Sequence, residues 1–227
     1  MEETDPAGAA TAAARRRLVE TVARVLAAPG TGLGGAAPDP RVLDALAAVP
    51  RELFVPRGSR DRAYRDEAMP IEGGQTISQP SVVALMTQLL DLSPADRVLE
   101  VGAGSGYQTA VLARLCGHVY AVEAVPELAD AARRRLDLLG IGNVTLRTGD
   151  GRRGWPDEAP FDACLAACAA RRVPQALVDQ LRPGGRLVLP VGPVLGPQQL
   201  CLLRRERDGR VSERPVLPVL FVPMVGG

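Results

Sequence analysis

The chain has 227 residues, 46% of them hydrophobic and 23% charged, a globular composition long enough to bury a core without disulfide or metal staples. Lys plus Arg total 27 against 26 Asp plus Glu, a net charge of +1, which argues against binding nucleic acid through phosphate neutralisation. Every basic residue is Arg and His118 is the single His, which excludes lysine Schiff bases, a Walker lysine and multi-His metal centres.

In chain order, residues 1–14 are acidic, then Ala-rich, and read as an unstructured lead-in. A helix is expected at about Ala13–Ala28, with Leu18, Val22, Val25 and Leu26 on one face. Pro29–Gly35 stops it. Asp39 before Pro40 makes an N-cap for a short helix to Ala48. Residues 57–79 lack a period and read as a long functional loop.

From Pro80 the pattern becomes strand–helix alternation. Helices are expected at Pro80–Asp91, Ser105–Leu115, Pro126 to Gly140, and Pro174–Leu181. Strands are expected at Arg97–Val101, His118–Val122, Asn143–Arg147, Phe161–Ala166 and Arg186–Pro190, with a turn at Pro183–Gly185 before the last. Gln198–Arg205 and Val216–Val222 read as two closing strands. The expected fold class is therefore α/β: a doubly wound, mostly parallel seven-stranded sheet of Rossmann-like type. The chain divides into the lead-in, N-terminal helices with an active-site loop (15–79), and the core (80–227), within one compact domain.

No apolar run approaches the 18 residues of a membrane span, and the N-terminus lacks the basic and apolar regions of a secretory signal. Cys116, Cys164, Cys168 and Cys201 form no C-x-x-C pair and suit free thiols in the cytosol.

The most informative local motif is V-L-E-V-G-A-G-S-G-Y, Val98–Tyr107. An apolar strand runs into Gly102, Gly104 and Gly106 and then into a helix. The spacing is G-x-G-x-G; a dinucleotide fingerprint needs glycine where Tyr107 stands, and a P-loop needs a Lys. The next strand ends in Glu123, an acid placed to bind both hydroxyls of a ribose. Glu100, just before the glycines, can hold an ammonium group directly or through water. Asp150, in Gly149-Asp150-Gly151 after the third strand, can accept from an adenine amino group. A glycine loop without phosphate chemistry, with these acids at successive strand ends, points to S-adenosylmethionine. No metal is expected.

The chain also resembles the protein-L-isoaspartate O-methyltransferase family from Val42 to Val225. The most specific segment is G-Q-T-I-S-Q-P, Gly74–Pro80, joined by V-L-D-A-L-A-A-V-P-R-E-L-F-V (Val42–Val55), G-D-G-R-R-G-W (Gly149–Trp155), Q-L-R-P-G-G-R-L-V-L-P-V-G (Gln180–Gly192) and F-V-P-M-V (Phe221–Val225). The resemblance implies methyl transfer from S-adenosylmethionine to the free α-carboxylate of L-isoaspartyl residues in damaged proteins or peptides, initiating repair through a succinimide. It implies Ser78 as the catalytic residue. Gln75, Thr76, Ile77 and Gly151 join Glu100, Gly102, Gly104, Gly106, Glu123 and Asp150 in the cofactor site. A monomer acting without nucleic acid or membrane is expected.

A carboxylate acceptor is already ionised at neutral pH, so the reaction needs no general base, in keeping with one His and no Lys. Ser78 can orient the acceptor, or it can cap the helix that Pro80 opens. Asp66 and Glu67 read as solvated loop charges. One segment departs from the family pattern: C-L-A-A-C-A-A-R-R-V-P, Cys164–Pro174, at a strand end expected to face the acceptor. It keeps open a dedicated carboxyl methyltransferase acting on an Asp of one biosynthetic peptide; a non-catalytic S-adenosylmethionine-binding protein is a third reading.

Overall fold

The computed structural model describes residues 6–194 and 196–225. Helix α1 spans Pro6–Ala27 and so begins inside the stretch read as an unstructured lead-in. Its Ala-rich start has the highest intrinsic helix propensity. Leu18, Val22 and Leu26 supply the buried stripe that holds it, against α2 (Pro40–Ala48) and α3 (Pro80–Leu90). Residues 1–5 of the lead-in lie outside the described residues. Val25, expected on the same face, is exposed. The α2 cap forms as expected: Arg41 N donates to Asp39 Oδ1 at 2.8 Å.

Between α2 and α3 the expected loop carries a small antiparallel hairpin, β1 (Met69–Pro70) with β2 (Thr76–Ile77). The α/β core then runs β3 (Arg97–Val101), α4 (Tyr107–Ala113), β4 (His118–Glu123), α5 (Pro126–Leu138), β5 (Val144–Thr148), β6 (Phe161–Ala166), α6 (Gln175–Asp179), β7 (Leu181–Val191), β8 (Gln198–Arg205) and β9 (Val211–Val219). The seven-stranded sheet has the order β5-β4-β3-β6-β7-β8-β9. β5 to β7 are parallel, and β7, β8 and β9 form an antiparallel meander.

Two strand starts differ by five residues from the sequence expectation. Pro183–Gly185 is not a turn before a strand; it lies in a bulge inside β7, where pairing jumps from Phe161–Leu181 to Ala163–Arg186. β9 starts five residues earlier than expected because Pro215 and Pro218 disguise it, and Pro is tolerated on a sheet edge. The chain after β9 leaves the sheet.

The two faces of the sheet are covered unequally. Val98, Ala121, Ala163, Leu165 and Val188 pack under α1 to α5. Leu99, Val101, Tyr120, Cys164 and Leu187 point to the other face, toward α6 and Trp155. Strand order reverses at β3, whose neighbours are β4 and β6. Ligands of such sheets bind at the carboxyl ends of the strands beside that switch.

Candidate active site

A cleft opens at that point. Val101, Gly102 and Gly104 come from the end of β3, Val122–Val125 from the end of β4, and Gly151 from beyond β5. Ala167 and Cys168 follow β6, and Gln75 and Thr76 come from the β1–β2 hairpin. Gly102 has φ 84°, and a Cβ there would stand 3.2 Å from Cys168 Sγ. A Cβ on Gly151 would collide with Val101. Glycine at both places keeps the cleft floor thin.

Glu123 is 5% exposed and lines the cleft. Its Oε2 accepts from Gly104 N (2.7 Å) and its Oε1 from Val125 N (2.9 Å). The backbone thus clamps the carboxylate against the glycine loop, with acceptor capacity left on both oxygens. Glu100 is fully buried on the helix-covered face of β3, near Thr109 of α4. Neither of its oxygens has a hydrogen-bond partner. Burial pushes its pKa up to about 8; Thr109 opposes the shift and the Glu123 charge adds to it. An orphaned buried carboxylate beneath a cleft calls for a cation.

Beside the cleft, sharing Thr76, Gly102, Gly104 and Ala167 with it, lies a second cavity lined by Ile77, Ser78, Ala103, Ser105, Tyr107 and Gln108. Ser78 does not cap α3. The cap is Asp66, whose Oδ1 accepts from Ser81 N (2.8 Å) while its Oδ2 accepts from Gln79 Nε2 (3.1 Å). Asp66 is therefore a structural anchor of this loop, where the sequence suggested a solvated charge. Arg51 donates to the Ser78 carbonyl at 2.8 Å. Ser78 is held by its backbone carbonyl and is one of the residues lining the cavity.

The structure brings together Gln75, Thr76, Gly102, Gly104, Glu123 and Gly151 in the cleft, with Ile77 and Ser78 in the adjoining cavity. Three expected residues stand apart. Gly106 (φ 88°) is the N-cap of α4, and a Cβ there would lie 3.1 Å from Ala132 Cβ, so it serves helix packing. Asp150 caps the turn that follows β5 and is occupied by Arg152, whose backbone N and guanidinium donate to it at 2.8–3.1 Å. Glu100 lies behind the cleft wall. Trp155 packs in the core under Arg147, 4.1 Å from guanidinium to ring centroid, and lines neither cavity.

Val222–Val225, outside the expected site residues, also line the cleft. Ala169 N donates to Val222 O and Met224 N to Ala169 O, both at 2.8 Å, tying the C-terminal segment to the loop after β6. The F-V-P-M-V motif was the available signal. The divergent Cys164–Pro174 segment divides by position: Cys164 is core, Cys168 lines the cleft, and Arg171 and Arg172 are exposed.

Residues 34–227 match the family described as Protein-L-isoaspartate(D-aspartate) O-methyltransferase (PCMT). A protein-L-isoaspartate O-methyltransferase of Myxococcus xanthus is 55% identical over 83% of this chain and 90% of its own length. One from Syntrophobacter fumaroxidans is 47% identical over 98% of this chain and 89% of its own. Among solved structures, a protein-L-isoaspartate O-methyltransferase superposes with TM-score 0.78 and 27% identity, over 94% of this chain and 66% of that one. A putative protein-L-isoaspartate O-methyltransferase from Plasmodium falciparum in complex with S-adenosyl-L-homocysteine shares the fold, with TM-score 0.76 and 24% identity over 93% of this chain and 98% of that one.

Proposed function

The chain belongs to the protein-L-isoaspartate(D-aspartate) O-methyltransferase family, and from that premise we propose how its residues share the work. The enzyme methylates the free α-carboxylate of L-isoaspartyl residues in proteins and peptides, using S-adenosylmethionine. The ester then closes to a succinimide, and hydrolysis returns part of it as normal aspartate.

S-adenosylmethionine supplies an electrophilic methyl group on a cationic sulfur. The residues present fit such a group: a clamped acid, an orphaned buried acid and two glycines at which a Cβ would intrude. Glu123 takes the ribose hydroxyls with its free lone pairs. Glu100, behind the cleft wall, would release the proton that burial favours and balance the ammonium group as a carboxylate. Gly102, Gly104 and Gly151 allow close approach, and Gln75, Thr76 and Ile77 wall the hairpin side. Asp150 serves this wall through Gly151, its own carboxylate being held by Arg152.

Ser78 donates its hydroxyl to one acceptor oxygen and leaves the other facing the methyl donor. No proton has to be removed, because the acceptor carboxylate is ionised at neutral pH. The position of His118 agrees: it begins β4, bonded to Thr145 Oγ1 at 2.8 Å, at the opposite end of the strand from Glu123. Holding two reactants in line in a partly dry cavity lowers a barrier by up to about 7–11 kcal/mol.

The observation that carries the role of Ser78 is its place among the residues lining the cavity beside the glycine loop while Asp66 does the capping. The test is methyl transfer from labelled S-adenosylmethionine to matched isoaspartyl and aspartyl peptides, with Ser78→Ala alongside. Label goes to the isoaspartyl peptide alone, and the variant loses about tenfold or more in kcat/KM with unchanged cofactor affinity. An unaffected variant removes Ser78 from the mechanism; equal labelling of both peptides removes the isoaspartyl specificity.

The enzyme works as a monomer in the cytosol, on protein or peptide acceptors and without nucleic acid or membrane. Supporting this, its four cysteines are free and buried, and among the described residues no helix is long and apolar enough to cross a membrane.

A further inference from the structure

Arg51, in the short turn after α2, heads the largest fully buried side chains, at 0% exposure. One terminal nitrogen donates to the carbonyls of Ser78 (2.8 Å) and Glu67 (3.3 Å). The guanidinium lies over the Tyr107 ring, 4.7 Å from its centroid. Its Nε and Nη1, and the Tyr107 hydroxyl, have no hydrogen-bond partner. Burial holds the Arg51 pKa below the ordinary arginine value, against the Tyr107, Asp66 and Tyr64 groups that favour its charge.

A buried cation without an ion pair is expensive and rarely retained for stability alone. Burial by itself would favour an apolar side chain here, and the two carbonyls it serves leave most of its donors unused. The residues it touches explain its place. Ser78 and Tyr107 line the same cavity as Gly102, Ala103 and Gly104, so the charge stands directly behind two walls of the space assigned to the acceptor.

We propose that Arg51 is a positioning residue for the acceptor: it fixes the Ser78 peptide and provides the counter-charge for the incoming α-carboxylate. The proposal rests on the reading of the Ser78 cavity as the acceptor site. A carboxylate entering a partly dry cavity loses hydration, and a fixed cation across a thin low-dielectric wall offsets that loss. The same charge selects an ionised acceptor over a neutral one of equal shape. A buried attraction of this kind is little screened by salt.

The test measures kcat and KM for an isoaspartyl peptide in wild type, Arg51→Gln and Arg51→Lys, with S-adenosylmethionine affinity and thermal midpoint as controls. Arg51→Gln raises KM about tenfold or more while cofactor affinity stays within about twofold, and Arg51→Lys recovers most of the loss. Unchanged KM in Arg51→Gln, equal losses in both variants, or a loss that merely follows cofactor binding overturns the proposal. If Arg51→Gln does not fold, the wild type decides, by competition between the isoaspartyl peptide and its α-carboxamide at low and high salt. The carboxylate peptide binds about tenfold or more tightly at both; equal binding overturns the counter-charge. A wild-type enzyme that methylates no isoaspartyl peptide overturns the Ser78 reading itself, whereas a working wild type with an Arg51-insensitive KM overturns only the role of Arg51.

Discussion

The cofactor cleft and the hairpin loop beside it are held by different means. In the cleft, Glu123 is fixed by two backbone N–H groups, one two residues on and one from the neighbouring glycine loop. Strand ends and glycines position Glu123, Gly102 and Gly104. In the loop, Ser78 is fixed by side chains from elsewhere in the chain: Arg51, 27 residues away, holds its carbonyl, and Asp66 caps the helix that follows. The first region is a property of the sheet. The second is an assembly of side-chain contacts on a short hairpin.

That contrast can be broken experimentally. The largest effect is expected from Glu123→Ala, which removes the acid proposed to hold the ribose and leaves the Gly104 and Val125 N–H groups without their acceptor. Equilibrium binding is expected to show about a hundredfold or greater loss of S-adenosylmethionine affinity.

Glu100→Gln separates binding from stability. With a folded pKa of about 8 against an ordinary 4.5, the folded state holds a proton that the unfolded chain releases between those values. Wild-type stability therefore falls as pH rises through that window. Glu100→Gln stays neutral, so its thermal midpoint is expected to match wild type near pH 4 and exceed it by about 3 °C or more at pH 8.5. Cofactor affinity falls about tenfold in the same variant. An equal midpoint at both pH values would show that Glu100 is charged in the free enzyme.

The smallest effect is expected from Asp66→Ala. Loss of a helix cap costs about 1 kcal/mol, which scanning calorimetry reads as a fall of roughly 2–4 °C. KM for the peptide rises while cofactor affinity is unchanged. A loss of cofactor affinity comparable to that of Glu123→Ala would show that cleft and loop move as one unit.

Legibility in the sequence follows the same division. Strands β3, β6 and β8 lie where alternation and apolar runs place them, and Glu123 and the first two glycines are in the cleft. Gly106 belongs to the same motif but packs against Ala132, because only the third dimension shows which side of the turn a glycine faces. Asp150, placed by the sequence at the adenine, also caps the turn after β5 and pairs through both oxygens with Arg152, two residues on, a partner no strand-end pattern announces. Asp66 looked solvated because its partners, Gln79 and Ser81, lie 13 and 15 residues away.

By itself the sequence determined the layer order, the glycine loop, the acid at the end of β4 and, through G-Q-T-I-S-Q-P, the family and the place of Ser78. These are encoded in neighbouring residues, by periodicity, caps and short motifs. Tertiary structure alone decided that Arg51 is buried behind Ser78, that Asp66 caps α3 and that Val222–Val225 close the cleft. Each of those depends on contacts between distant parts of the chain; a short motif can mark a segment, as F-V-P-M-V does, but not which distant groups packing will bring it against.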